Sequence, residues 1–193
     1  GARTAPRRER GGARAGPGAG GRGGRVGPAL GGRVGSLKEP PGGWAQDPLV
    51  RAPALVPLAQ EALGVDADAG RLDLQLLALP DPKDKNILRW NGWSPPQLKK
   101  ATAALLSVGA LVGGKRPRAG RATFLPCAWL EVEAPMPPIE VWKVGLLGLL
   151  PDGRGPLGFT VPSVPLGELF TEARERVSGG DGPRDEQVEM GRR

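Results

Sequence analysis

Between Lys85 and Leu130 the chain carries Lys85, Arg89, Lys99, Lys100, Lys115, Arg116, Arg118 and Arg121 and no Asp or Glu. In the flanking stretches, 47–84 and 131–193, acids outnumber bases, so the positive charge is concentrated in one window. A local excess of this kind fits an anionic partner, with nucleic-acid phosphate foremost. Lys115, Arg116, Arg118 and Arg121 suit phosphate contacts, which give affinity with little sequence information. Lys99 and Lys100 lie near the start of a helix, whose free N–H groups also favour phosphate. Gln97 has the chemistry to read an adenine edge. It also stands where its side chain would cap the helix, and it cannot do both. The plainer alternative is a solvated turn, because edge strands use Lys and Arg to block aggregation.

The elements that hold these residues can be read from caps and periodicity. Ser94-Pro95-Pro96-Gln97 matches a capping box, with Ser94 at the N-cap, Pro95 at the first helical position and Gln97 reaching back. The helix that follows is expected to bury Leu98, Ala101, Leu105 and Val108, to expose Lys99, Lys100, Ala103 and Ser107, and to stop at Gly109. Strands at Leu111-Val112 and Ala122 to Leu125 flank a Gly- and Pro-containing turn, making a basic hairpin. Upstream, Pro53 to Leu63 has a helical apolar face ending at Gly64. Asp68 to Leu79 reads as a helix, although Leu72, Leu74 and Leu76 also alternate as in a strand. Asp81-Pro82 should cap a short helix reaching Trp90, and Asn91-Gly92-Trp93 should form a tight turn.

Downstream, residues 126 to 142 are punctuated by proline and read as an extended strap. An apolar stretch runs from Val144 to Leu150, and a turn is expected at Pro151 to Gly155. A last helix, Leu166 to Val177, should bury Leu166, Leu169, Phe170 and Ala173 and pair Glu172 with Arg176. Residues 1–43 are rich in Gly, Arg and Pro and have almost nothing to bury, so disorder is expected there. That arm reads either as a nucleic-acid contact or as a linker. The resulting organisation is an arm over 1–43, a domain over 44–130, strap and helix over 131–177, and a frayed tail over 178–193.

Composition narrows the function classes. The 193 residues carry a formal net charge of +7, with abundant Gly and Pro and no His or Tyr, a bias that GC-rich codons also produce. Without His, imidazole catalysis and the usual zinc sets are excluded, and the single Cys127 cannot form an internal disulfide. No carboxylates stand out as a catalytic pair, so an enzyme is not expected, nor is a metal or cofactor. No apolar run approaches the roughly 20 residues of a membrane span. The five tryptophans could stack on single-stranded bases, but their apolar and proline neighbours favour packing. Cys127, beside Pro126, reads as a small buried residue. Beginning on Gly1, the chain reads as a processed product or a piece of a longer protein.

The segment WNGWSPPQLKKATAALLSVGALVGGKRPRAGRATFLP, Trp90 to Pro126, resembles the winged helix-turn-helix superfamily of bacterial regulators. The resemblance rests on the order helix, turn, capped helix, hairpin, and covers roughly a third of the chain with the preceding helices. It implies an α+β, mainly helical winged-helix domain with a basic β-hairpin wing, accompanied by the Pro-rich strap and a C-terminal helix. It also implies a cytoplasmic, transcription-regulating protein that binds double-stranded DNA through Gln97, Lys99, Lys100, Lys115, Arg116, Arg118 and Arg121. Winged helices also serve as protein–protein modules, so an adaptor within a larger bacterial protein is the alternative.

Overall fold

The architecture grows outward from one helix that is buried along nearly its whole length. A computed structural model describes residues 43–130, 138–149 and 164–184. The expected arm before Gly43, the Pro135-Met136-Pro137 part of the strap, the turn at Pro151 to Gly155 and the tail beyond 184 lie outside the described residues. All described residues belong to one compact unit spanning 38–193.

The first two helices are α1 (Pro48–Arg51) and α2 (Leu55–Leu63), the latter closed by Gly64 in the left-handed conformation. The buried helix is α3 (Ala67–Ala78), capped by Asp66, whose carboxylate accepts from the Ala69 N–H at 3.0 Å. Residues Ala69 through Ala78 of α3 are all buried. The helix packs against α2 on one side and, on others, against α5 (Pro95–Ser107) and α7 (Leu166–Ser178). A helix covered on every side buries its polar residues as well, here with Arg71 paired to Asp47 and Gln75 hydrogen-bonded to Asn91, so no solvent-facing polar stripe marks it. The mixed periodicity of Leu72, Leu74 and Leu76 is therefore what a central helix produces.

The helix α4 (Asp84–Asn91) begins later than the Asp81-Pro82 signal suggests, with Lys83 at its N-cap. Asp81 is occupied elsewhere, because its carboxylate is bound by Arg116 at 2.6 Å. Gly92 ends α4 at φ +66°, giving the tight turn, and α5 starts from Ser94 as expected. Leu98, Ala101 and Leu105 are buried, but Val108 is 44% exposed because it lies beyond the last turn of α5.

Two small antiparallel hairpins follow. In the first, β1 (Val112–Gly113) pairs with β2 (Thr123–Phe124), setting Val112 opposite Phe124. In the second, β3 (Trp129–Leu130) pairs with β4 (Ile139–Glu140), setting Trp129 opposite Glu140. The strap reading is corrected here: the described ends of that stretch form a hairpin, which leads into the short helix α6 (Lys143–Leu146). In α7, Leu169, Phe170 and Ala173 face the core, while Leu166 is only partly buried. The expected Glu172–Arg176 pair is absent. Arg176 instead lies 4.5 Å over the Trp142 ring, donates to the Trp142 carbonyl at 2.6 Å and binds Asp181. The described chain is thus α+β, mostly helical, with two small hairpins.

Candidate nucleic-acid interface

The eight cations of the acid-free window divide into an exposed set and an anchored set. On α5, Gln97 is exposed, and its Oε1 accepts from the Ser94 N–H at 2.9 Å and from the Ser94 hydroxyl at 3.0 Å. The capping box is therefore closed. Lys99 is exposed and has no partner among the described residues. Its neighbour Lys100 reaches Asp66 at 2.8 Å, with both groups open to solvent. The side-chain hydrogen bond from Lys100 and the backbone N–H of Ala69 hold Asp66 below the usual carboxylate range, and Asp66 in turn raises Lys100.

In the first hairpin, Lys115 and Arg118 are exposed and without partners among the described residues. Arg118 sits at φ +61°, a left-handed conformation that turns the chain at the tip. Arg116 and Arg121 point the other way. Arg116 binds Asp81 at 2.6 Å, donates to the Pro138 carbonyl at 3.0 Å and stacks 4.2 Å over Trp129. Arg121 lies between Asp81, at 3.5 Å, and Glu140, at 3.2 Å, with its guanidinium 4.9 Å from the Phe124 ring centre. These two residues were expected to meet phosphate. Their charge is instead used to fasten the hairpin to the body of the fold.

Behind them lies a fully buried pair. Glu140 contacts Lys143 at 2.5 Å and accepts from the Leu125 N–H at 3.0 Å. Lys143 also donates to the Leu79 carbonyl at 2.7 Å. Burial alone would raise Glu140, but Lys143, Arg121 and the Leu125 N–H together hold it below its ordinary value. Burial pulls Lys143 down, with Glu140 opposing. The Nε of Arg116 and the Nε and Nη1 of Arg121 are buried without hydrogen-bond partners, close to the ring faces of Trp129 and Phe124. Aromatic faces attract guanidinium groups and partly compensate for those missing bonds.

Asp81, Glu140 and Lys143 carry this arrangement; Glu140 and Lys143 do not stand out in the sequence, and Asp81 does so only as a helix cap. The acids lie outside the window that looked free of them and return to it only through the fold. Asp81 is 35 residues from Arg116, and Glu140 is 19 from Arg121. Among the described residues, what remains free to hold an anion is Lys85 on α4, Lys99 on α5, and Lys115 and Arg118 on the hairpin, with Lys100 available at the cost of its exposed contact.

The tryptophans fill several roles. Trp93 and Trp142 are buried, Trp129 packs edge-on against Phe124 at 4.8 Å, and Trp90 is partly covered. Trp44 is exposed with Arg89 4.2 Å over its ring. Cys127 is buried, and its thiol is pushed up by burial. Among the described residues no group of His, Cys, Asp or Glu could hold a metal ion, and no helix is long and apolar enough to cross a membrane. Comparison with known proteins finds no family model, no curated protein and no solved structure that matches the chain.

Proposed function

We propose that α3, α4, α5 and the β1–β2 hairpin act as a winged-helix module that binds double-stranded DNA, chiefly through phosphates. The observation that carries this reading is the outward set Lys99, Lys115 and Arg118, three cations without partners among the described residues on the consecutive elements that would serve as recognition helix and wing. In a winged helix these two elements straddle a groove and its phosphate track. The inward pairing of Arg116 and Arg121 supports it indirectly, since a fastened hairpin base keeps the tip cations in fixed positions. With Gln97 committed to its cap, the contact is expected to discriminate weakly between sequences. A role in transcription regulation inside a bacterial cytoplasm is part of the same proposal.

The test is fluorescence anisotropy with random-sequence duplex at several salt concentrations, comparing the chain with a Lys99→Ala, Lys115→Ala, Arg118→Ala variant. Each lost phosphate contact changes the slope of log affinity against log salt by about 0.9, so the triple variant should flatten it by about three times that amount. An unchanged slope would reject the interface. Attention would then pass to a protein-adaptor role, beginning at Leu106 and Val108, which are 40% and 44% exposed at the end of α5.

A further inference from the structure

We propose that the cleft between the α3–α4 loop, α4 and the start of α7 binds a small planar aromatic anion, with Trp90 stacking on the ring and Lys83 holding the charge. The cleft encloses about 590 Å³ and is lined by Gln46, Leu79, Pro80, Asp81, Pro82, Lys83, Trp90 and Leu166. That volume lies within the roughly 300–1,000 Å³ typical of small-ligand sites, and the mixture of apolar wall with a few polar groups is also typical.

Its floor is fixed from behind. Lys143 Nζ donates to the Leu79 carbonyl at 2.7 Å and contacts the Pro80 carbonyl at 3.4 Å. Arg116 and Arg121 hold the Asp81 carboxylate, and the Asp84 N–H donates to the Gly120 carbonyl at 3.0 Å. A floor tied down at these points needs little ordering when a ligand arrives.

The charge of the ligand follows from what is already neutralised. Among the described residues two charged side chains line the cleft: Asp81 is compensated by two guanidinium groups, whereas Lys83 has no ion pair with a described residue. The Lys83 stem lies against Gly120, where an added Cβ would stand 3.3 Å from its Cβ, Cγ and Cδ. The stem is therefore positioned and its ammonium unspent. A lysine and an indole lining one cleft with Leu79, Pro80, Pro82 and Leu166 suit a flat apolar ring carrying a carboxylate or similar anion. A cationic ligand would find no free carboxylate among the described lining residues.

The experiment is isothermal titration calorimetry of the full chain with 2-naphthoate as probe and 2-naphthamide as its neutral counterpart. Naphthoate should bind saturably and more tightly than the amide. Lys83→Met, a change on a partly exposed side chain, should weaken naphthoate about fivefold and leave the amide unaffected. Trp90→Leu should weaken both probes, and Trp90→Phe should restore much of the loss by keeping a ring in place. Absence of saturable naphthoate binding, equal affinity for acid and amide, or indifference to Lys83→Met would each overturn the proposal. None of these outcomes depends on whether the α5 and hairpin cations bind DNA.

Discussion

Replacing Glu140 with Leu should be among the most damaging single changes in the protein. Glu140 has no exposed surface and faces Lys143 at 2.5 Å and Arg121 at 3.2 Å, with Lys143 itself fully buried. Removing the carboxylate leaves two cations in a poorly solvating interior and orphans the Leu125 N–H. Breaking a buried pair from one side costs about 3–5 kcal/mol, a large part of the roughly 5–15 kcal/mol that holds an ordinary domain folded. Replacing both members with apolar residues of similar volume is often near neutral. Glu140→Leu combined with Lys143→Met should therefore cost much less than the sum of the single changes. The assay is urea unfolding of all four chains followed by tryptophan fluorescence, for which Trp129, paired with Glu140 across β3 and β4, is well placed. A single-variant loss below about 1 kcal/mol, or additivity to within about 0.5 kcal/mol, would refute the reasoning.

Asp73, buried on α3, has its pKa raised by burial from 3.8 to about 7, with the charge of Arg174 opposing the rise. The native state thus keeps a proton that the unfolded chain loses. The contribution is fully present below about pH 4 and is lost as pH rises towards 7, amounting to about 4 kcal/mol. Unfolding free energies measured across that range should fall with pH relative to an Asp73→Asn variant, and parallel curves would contradict the assignment. Arg118→Gly relieves a φ of +61°, so stability should stay constant or rise by up to about 1 kcal/mol while DNA affinity falls; thermal melts and anisotropy together check both halves. Lys99→Ala should weaken DNA binding more than Lys100→Ala, because Lys100 must first give up Asp66. Equal losses in a side-by-side titration would remove that distinction.

How much of this was legible in the sequence depended on distance along the chain. The Ser94 capping box and the glycine stops at Gly64 and Gly92 are set by residues a few positions apart, and they stand where local chemistry puts them. Helix α3 gave a mixed pattern because neighbours cover it on every side, which no local window can reveal. The second hairpin was hidden because its two-residue strands are too short to show alternation. The candidate interface was half legible. Lys99, Lys115 and Arg118 are exposed as the charge pattern suggests, whereas Arg116 and Arg121 turn inward to Asp81 and Glu140. Arg176 likewise left its helical neighbour Glu172 for Trp142 and Asp181. A charge count along the chain registers the bases of such pairs but not the acids that the fold brings to them.

The most direct measurement is an amide chemical-shift map of the isotope-labelled full chain titrated with a short duplex. Shifts concentrated in the first turns of α5 and at Lys115 to Gly120, with the Arg121–Glu140–Lys143 cluster unmoved, would bear out the winged-helix reading. Shifts confined to residues before Gly43, or an undisturbed α5 and hairpin under saturating duplex, would contradict it.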